Sequence, residues 1–510
     1  MQRPDMRLST ARIPILLPAA VVILLGLPIG WLTVVGKPVY VVGLLGLILF
    51  LWITVLGGQH DLYQLSMQAL FLSLPLISTM VIDVGASIRV SYVLALCAML
   101  CGLYQGRLPP LSNVPILGWL APFLCASLLS MGLTVNVPNL AVQAGSQLRG
   151  LALRTVIQNG QLLLMAAVLF LTVVYCSTKR RFSAAIDLIT VATFFTAAYG
   201  MYEFVAQLFG LPFVYINNAV NNILEYGYNP AWIWIGGYMI PRPFSTFDEP
   251  KNLANYLLIA SILAMAHLRW QCSGLRRCFT LLTIALAMTV FLFTNSRGAY
   301  IGAMCALVAA VIHRGSLSLF LKSLAAVAAV VVAVYLLVLP ILVPDINLQA
   351  AVDMAIERSE QSLALEGRKT AWDTAIEIFK AHPLVGVGFG NISFYMAAAE
   401  GLNQVVDVPS LYLRLLAELG VVGLAIFFVF ILRVLAGAFV EGRRHGLDRW
   451  TSAMCAAVFA AMIGDLVQRV SFVGLATDAY LWVLWGLAVA ISTIARNEWR
   501  SRGGVHEHVG

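Results

Sequence analysis

Residues 278–313 read CFTLLTIALAMTVFLFTNSRGAYIGAMCALVAAVIH. Two apolar runs, 278–294 and 299–313, meet at the polar turn Thr294-Asn295-Ser296-Arg297-Gly298. Between Phe279 and Ile312 the single charged side chain is Arg297. A helix on the surface of a soluble protein keeps a polar face, whereas one that is apolar all round is buried or lies in lipid. The stretch therefore predicts two bilayer-crossing helices joined by a tight turn.

The rest of the chain follows the same pattern. Of 510 residues, 60% are hydrophobic and 11% charged, and the mean hydropathy is +0.88. Soluble domains carry roughly 45–50% apolar and about 25% charged residues. These values exclude a soluble enzyme, a disordered chain and a disulfide scaffold. The net charge of +8 comes from 32 Lys and Arg against 24 Asp and Glu, an excess that membrane proteins place in cytoplasmic loops. No basic run of five or more occurs, so no nucleic-acid partner is expected. The eight cysteines lie in apolar segments or basic loops without a CxxC pair. Cys97 and Cys101, one helical turn apart, read as packing residues rather than a metal site.

Apolar runs predict spans at 13–31, 39–57, 63–82, 90–104, 114–134, 161–177, 184–209, 251–268, 278–294, 299–313, 317–343, 409–436, 451–469 and 474–495. The expected fold is an all-α polytopic membrane protein of about 14 transmembrane helices, 12–14 in range. Arg3, Arg7 and Arg12 precede an uncleaved first span. With the N-terminus inside, every strong basic cluster falls on the cytoplasmic side: 179–181, 269–277, 433–449 and 496–502. Both termini are then cytoplasmic. The chain divides into N-terminal membrane helices (1–209), an outer loop (210–250), helices carrying the SRG turn (251–343), a large helical outer loop (344–408), C-terminal helices (409–495) and a cytoplasmic tail (496–510). The outer stretch 135–160, with Arg149 and Arg154, is expected along the interface.

The outer loops concentrate the polar chemistry. In 210–250 stand Asn217, Asn218, Asn221 and Asn222, with Trp232, Trp234 and Tyr238 alternating around Gly236-Gly237 as a hairpin would. Amides and flat rings suit sugar recognition; the same rings suit an interfacial aromatic belt. The loop ends in Arg242, Asp248, Glu249 and Lys251, with Asn252 and Asn255 in the next helical turn. Arg297 is disfavoured on the outer side, and its planar fork matches a phosphate. In the second loop, Trp372, Ala375, Ile376 and Phe379 mark an amphipathic helix that ends at His382-Pro383. Arg368 and Lys369 sit at its start, where a cation opposes the helix dipole. GVGFGN (386–391) lacks the strand-then-helix setting of a dinucleotide fingerprint. Arg414 and Glu418 stand at i, i+4, the spacing of an ion pair.

Four pieces in this order resemble the O-antigen ligase and O-antigen polymerase family of bacterial membrane glycan enzymes. They are RPFSTFDEPKNLANYL (242–257), TNSRGAY (294–300), RKTAWDTAIEIFKAHPLVGVGFGN (368–391) and SLYLRLLAELGVVG (410–423). The resemblance implies a glycosyltransferase in the bacterial inner membrane, its site facing the periplasm, that needs no metal or other cofactor. The donor would be an undecaprenyl-pyrophosphate-linked glycan. Arg297 and Arg368 match the positions that hold the pyrophosphate, and Arg242 is a third candidate; Lys369, Asn252, Trp232 and Trp234 are candidate substrate contacts. Fixed guanidinium groups stabilise a departing pyrophosphate, and a base takes the proton of the attacking hydroxyl. The family commonly carries a His just before LYL; here the stretch is Val408-Pro409-Ser410. The base is then open among Asp248, Glu249 and Asp407, and the reading shifts from ligase towards polymerase. A flippase is the alternative of another class. The partners expected are the lipid bilayer, the lipid-linked glycan and a chain-length regulator or other export protein.

Overall fold

The computed structural model describes residues 61–76, 80–83, 87–136, 151–211, 232–235, 238–271, 273–314, 362–400 and 408–502. The predicted spans 13–31, 39–57 and 317–343 lie outside them.

The described residues are overwhelmingly helical. In chain order they form α1 (Leu62–Leu72), β1 (Met80–Asp83), β2 (Ser87–Arg89), α2 (Val90–Tyr104), α3 (Ile116–Leu129), α4 (Leu151–Tyr175), α5 (Lys179–Phe209), β3 (Trp232–Ile235), β4 (Tyr238–Pro241), α6 (Pro250–Leu268), α7 (Gly274–Phe293), α8 (Arg297–Arg314), α9 (Ser362–Ala381), α10 (Ile392–Glu400), α11 (Leu411–Gly442), α12 (Arg449–Gln468) and α13 (Ala479–Ser501). Seven helices among these residues, α3 with its 3₁₀ extension, α4, α5, α7, α11, α12 and α13, are long and apolar enough to cross a membrane. The chain is an all-α polytopic membrane protein in class, with two short antiparallel hairpins, β1–β2 and β3–β4, as its described strands. In the second hairpin Ile235 stands opposite Tyr238 and Trp232 opposite Pro241.

Two expectations are corrected. The run 63–82 is not one span: α1 ends at Leu72, a turn reaches Pro75, and the apolar residues from Met80 pair as a strand. Proline cannot continue the helix, and strand and helix share the same apolarity over so short a run. The stretch 135–160 is not wholly an interfacial segment, because α4 begins at Leu151 and takes in Arg154.

Of the seven, α12 and α13 are the most enclosed, α12 packed by α6, α8 and α11 and α13 by α4 and α11, whereas α3 and α7 turn most of their surface outward. At Gly302 and Gly464, α8 meets α12 backbone against backbone. A Cβ on Gly302 would stand 2.7 Å from the Gly464 carbonyl oxygen, and one on Gly464 would stand 3.0 Å from that of Gly302. Small residues allow this approach where lipid supplies no hydrophobic drive between helices. At one end of the bundle Lys179 bridges Asp448 (3.0 Å) and Glu498 (2.9 Å), pinning α5, α12 and α13. The opposite end gathers the starts of α6, α8, α11 and α13 with the ends of α5, α7 and α12, and there the polar residues converge.

Candidate functional site

The segment RPFSTF is strapped across this end by a carboxylate inside α5. Glu203 is fully buried. Its Oε2 accepts the backbone N–H groups of Phe244 (3.0 Å) and Ser245 (2.6 Å), and Gln207 Nε2 donates to Oε1 at 3.2 Å. Ser245 has φ 53, a conformation that costs about 1–3 kcal/mol outside glycine and persists only where surrounding contacts hold it. Those contacts include Ser245 Oγ to Thr196 O (2.8 Å) and Thr246 Oγ1 to Pro75 O (2.6 Å). Arg242 donates from Nε to Thr294 O (2.7 Å) and from Nη2 to Asn295 O (3.4 Å). It thereby ties the strap to the turn that carries Arg297. Asn295 takes φ 48 in that turn, a left-handed position asparagine tolerates.

The strap delivers Asp248, Glu249, Lys251 and Asn252 to a cavity of about 370 Å³. Pro250 at the first turn of α6 suits a position whose N–H has no helical partner. Arg89 enters from the end of β2, Gln158 and Gln161 from α4, and Phe389 from the glycine-rich loop. Val408, Pro409 and Arg414 line the side of α11, and the connection Phe472–Asp478 forms another wall. Arg89 is partly exposed, yet its Nη1 is buried and has no hydrogen-bond partner among the described residues. Arg414 pairs through Nε with Glu418 Oε1 at 3.1 Å, as the i, i+4 spacing predicts.

The loop after α9 passes through a break in α11. Gly420 has φ 66 and ψ −170 inside that helix. The backbone groups released there are paired by the loop. Val387 N–H donates to Ala417 O (3.0 Å), Gly388 N–H to Glu418 O (2.8 Å), and Val421 N–H to Pro383 O (2.9 Å). A Cβ on Gly386 would collide with the Ala417–Glu418 backbone, so the motif's first glycine is there for close approach. Asn391 closes the loop, donating to Val387 O (2.9 Å) and accepting from Thr155 Oγ1 (3.2 Å). The face of α9 that packs below is Ala371, Ala375 and Ile378, with Trp372 at its edge. It is rotated slightly from the predicted stripe of Trp372, Ala375, Ile376 and Phe379.

Beneath the cavity lies a buried ionic network. The side chain of Arg469 has no solvent exposure. Its Nε is 3.1 Å from Asp465 Oδ1, and its Nη1 is 2.8 Å from Asp478 Oδ2 and 2.7 Å from Val473 O. Its guanidinium stacks 4.2 Å from the Phe472 ring centre. Asn255 Nδ2 donates to Asp465 Oδ1 (2.6 Å) and Tyr480 Oη (3.1 Å). The Arg469 carbonyl accepts the Leu411 N–H at 3.0 Å, joining the network to the Val408–Ser410 segment. Burial pushes the Asp478 carboxyl up to about 6, against the pull of Arg469. Removing one partner from such a network strands a buried charge, which costs several kcal/mol.

The structure brings together Asp248, Glu249 and Asn252 of the predicted residues. Arg242 instead braces the 294–295 turn. Arg297 opens α8 as an exposed residue at the same end, outside the cavity lining, and Lys369 is exposed on α9. Arg368 falls in α9 and Trp232 and Trp234 in β3. Asp407 lies outside the described residues. Sequence reading missed Arg89, Gln158, Gln161 and Asp478 as cavity residues. Arg89 had a signal, being an arginine on the predicted outer side immediately before an apolar run; Asp478 fell inside the predicted span 474–495, whose first residues belong instead to the connection ahead of α13.

Residues 282–428 match the family model described as O-antigen ligase. The match takes in α8, α9, the glycine-rich loop and the first half of α11, and it covers three of the four sequence pieces that carry the resemblance; 242–257 lies outside it. Over these residues the chain is similar to the O-antigen ligase domain, carried here by a polytopic membrane protein. No curated protein matches the chain.

Proposed function

We propose that the protein is a polysaccharide polymerase of the bacterial inner membrane. It transfers a growing glycan from undecaprenyl pyrophosphate onto the next lipid-linked repeat unit at the periplasmic face, with no metal required. The observation that carries this reading is the composition of the cavity. The cations Arg89, Lys251 and Arg414 stand beside the amides Gln158, Gln161 and Asn252, a set suited to a phosphate-bearing sugar. Arg297 and Arg368 hold the pyrophosphate where the lipid enters. The sidedness rests on charge: the end opposite the cavity carries Lys179, Arg180, Arg181, Arg443, Arg444, Arg496 and Arg500, as a cytoplasmic face should. The absence of histidine from Val408-Pro409-Ser410, two of which line the cavity, favours polymerase over ligase.

The test is mass spectrometry of undecaprenyl-pyrophosphate-linked glycans in a strain lacking the gene. Single repeat units accumulating at the outer face are the expected result. Long chains stranded on the carrier would instead mean a ligase, and units trapped on the cytoplasmic side a flippase. An unchanged lipid pool would overturn the glycan reading.

A further inference from the structure

Three carboxylates line the cavity, and they are not equivalent. Asp248 and Glu249 are exposed, and Glu249 is paired to Lys251. Asp478 is 3% exposed and held from three directions. Its Oδ2 accepts from Arg469 Nη1 (2.8 Å) and faces the Tyr480 hydroxyl (3.4 Å), while its Oδ1 accepts from Thr477 Oγ1 (3.1 Å). A carboxylate oxygen can accept two hydrogen bonds. Among the described residues Thr477 is the donor to Oδ1, and Asp478 lines the cavity, so Oδ1 keeps capacity for a second donor among these residues. Gly474, at φ 120, lets this carboxylate lie against the connecting loop, because a side chain there would occupy its place.

We propose that Asp478 is the general base of the transfer, taking the proton from the acceptor hydroxyl. This rests on the glycan-transfer reading above and supplies the residue that reading leaves unassigned. As the acceptor O–H bond breaks, its proton passes to Asp478 Oδ1. The oxygen's electron pair forms the new bond to the anomeric carbon. The bond from that carbon to the phosphate oxygen breaks, and its pair leaves with undecaprenyl pyrophosphate. The proton then returns to water through the cavity mouth.

The surroundings suit that role. Arg469 from α12 and Arg89 from β2 favour the charged form, whereas Asp248 ahead of α6 opposes it. Asp465 shares the Arg469 guanidinium, so two carboxylates divide one cation. Tyr92 of α2 and Tyr480 of α13 also face the group, and Lys251, Glu249 and Arg414 stand across the cavity. Burial outweighs the rest and raises the carboxyl to about 6. A base poised just below neutrality is ionised at working pH yet still basic enough to accept a proton.

The experiment uses the full-length protein in nanodiscs and the lipid-linked repeat units extracted from the deletion strain. Chain extension is followed from about pH 5 to about pH 9. The wild-type rate should rise through about pH 6 to a plateau. Asp478→Asn should lower the plateau rate about 100-fold or more and abolish the rising limb, while binding of undecaprenyl pyrophosphate is unchanged. Asp478→Glu should keep a rising limb with a displaced midpoint. A wild-type rate and limb in Asp478→Asn would overturn the assignment. So would an unmoved midpoint in Asp478→Glu, which decides the matter if the Asn variant does not fold. Loss of undecaprenyl pyrophosphate binding together with activity in Asp478→Asn would make the residue structural and overturn its role as base. Failure of the wild type to extend any chain would overturn the transfer reading, and this proposal with it.

Discussion

Gly420 in α11 lies against the Leu384 carbonyl so closely that a Cβ at position 420 would collide with it. Main chain meets main chain at a helix break, and the loop His382–Gly390 completes the hydrogen bonding that the break interrupts. Gly420→Ala should therefore lower stability by roughly 3 kcal/mol or more, combining a disfavoured positive φ with a backbone clash. Thermal unfolding in detergent measures this. A wild-type melting temperature in Gly420→Ala would show that the loop does not depend on the break.

Glu203 anchors the strap by accepting two backbone N–H groups. Glu203→Ala leaves both donors buried without a partner, at about 1–3 kcal/mol each. Glu203→Gln keeps one acceptor oxygen and should cost much less. Limited proteolysis within 242–249 should accelerate in the Ala variant only. Equal protection in both variants would argue that the strap is held by Arg242 and Thr246 instead.

Arg297→Ala and Arg368→Ala should each abolish product while the protein still inserts in the membrane. Lysine should rescue either poorly, since an ammonium cannot make a paired contact to phosphate. Arg89→Ala should weaken undecaprenyl pyrophosphate binding about 10- to 100-fold, the loss of one charge-assisted hydrogen bond worth about 1.5–3 kcal/mol. Product formation in membranes and lipid binding in nanodiscs report the two effects separately. Full activity in both alanine variants at 297 and 368 would sink the pyrophosphate assignment.

Asp478 and Asp448 should leave opposite marks on stability against pH. The Asp478 carboxyl is raised from 3.8 to about 6. Its contribution is fully present below the unfolded value and is lost as pH climbs through about 6. The Asp448 carboxyl is lowered, chiefly by its hydrogen bond to Lys179. Its contribution is present above the unfolded value and disappears as pH falls through the depressed one. Melting curves of Asp478→Asn should accordingly lose the wild type's decline between about pH 4 and pH 6. A decline of the same size in that variant would assign it to another group.

How far the sequence could be read follows from the range of the interactions. α5, α11, α12 and α13 were legible because about 20 apolar residues in line have few other uses. The region 63–82 was not, because Pro75 and the strand-forming Met80–Asp83 continue the same apolarity in another geometry. Asp248, Glu249 and Asn252 were legible as charges and amides beside a span. The Arg469 network was not: Asn255 and Asp465 are 210 residues apart in the chain, and neither neighbourhood announces the other. Arg242 reads as a ligand-binding arginine from its motif, yet it donates to the carbonyls of Thr294 and Asn295, a relation only the folded turn creates.

The contact of Gly302 with Gly464 works as a gauge block. Arg297 opens α8 five residues before Gly302, and Arg469 follows Gly464 by the same number as the C-terminal cap of the antiparallel α12. Both arginines thus stand about 7.5 Å along the axis from the touching glycines, on the same side. At the crossing itself their common level is set by peptide backbone. Ile301, Met304, Val308 and Ile312 on the outer face of α8 are exposed and can vary with the thickness and composition of the surrounding lipid. The height of the surface arginine relative to the buried one does not shift with them.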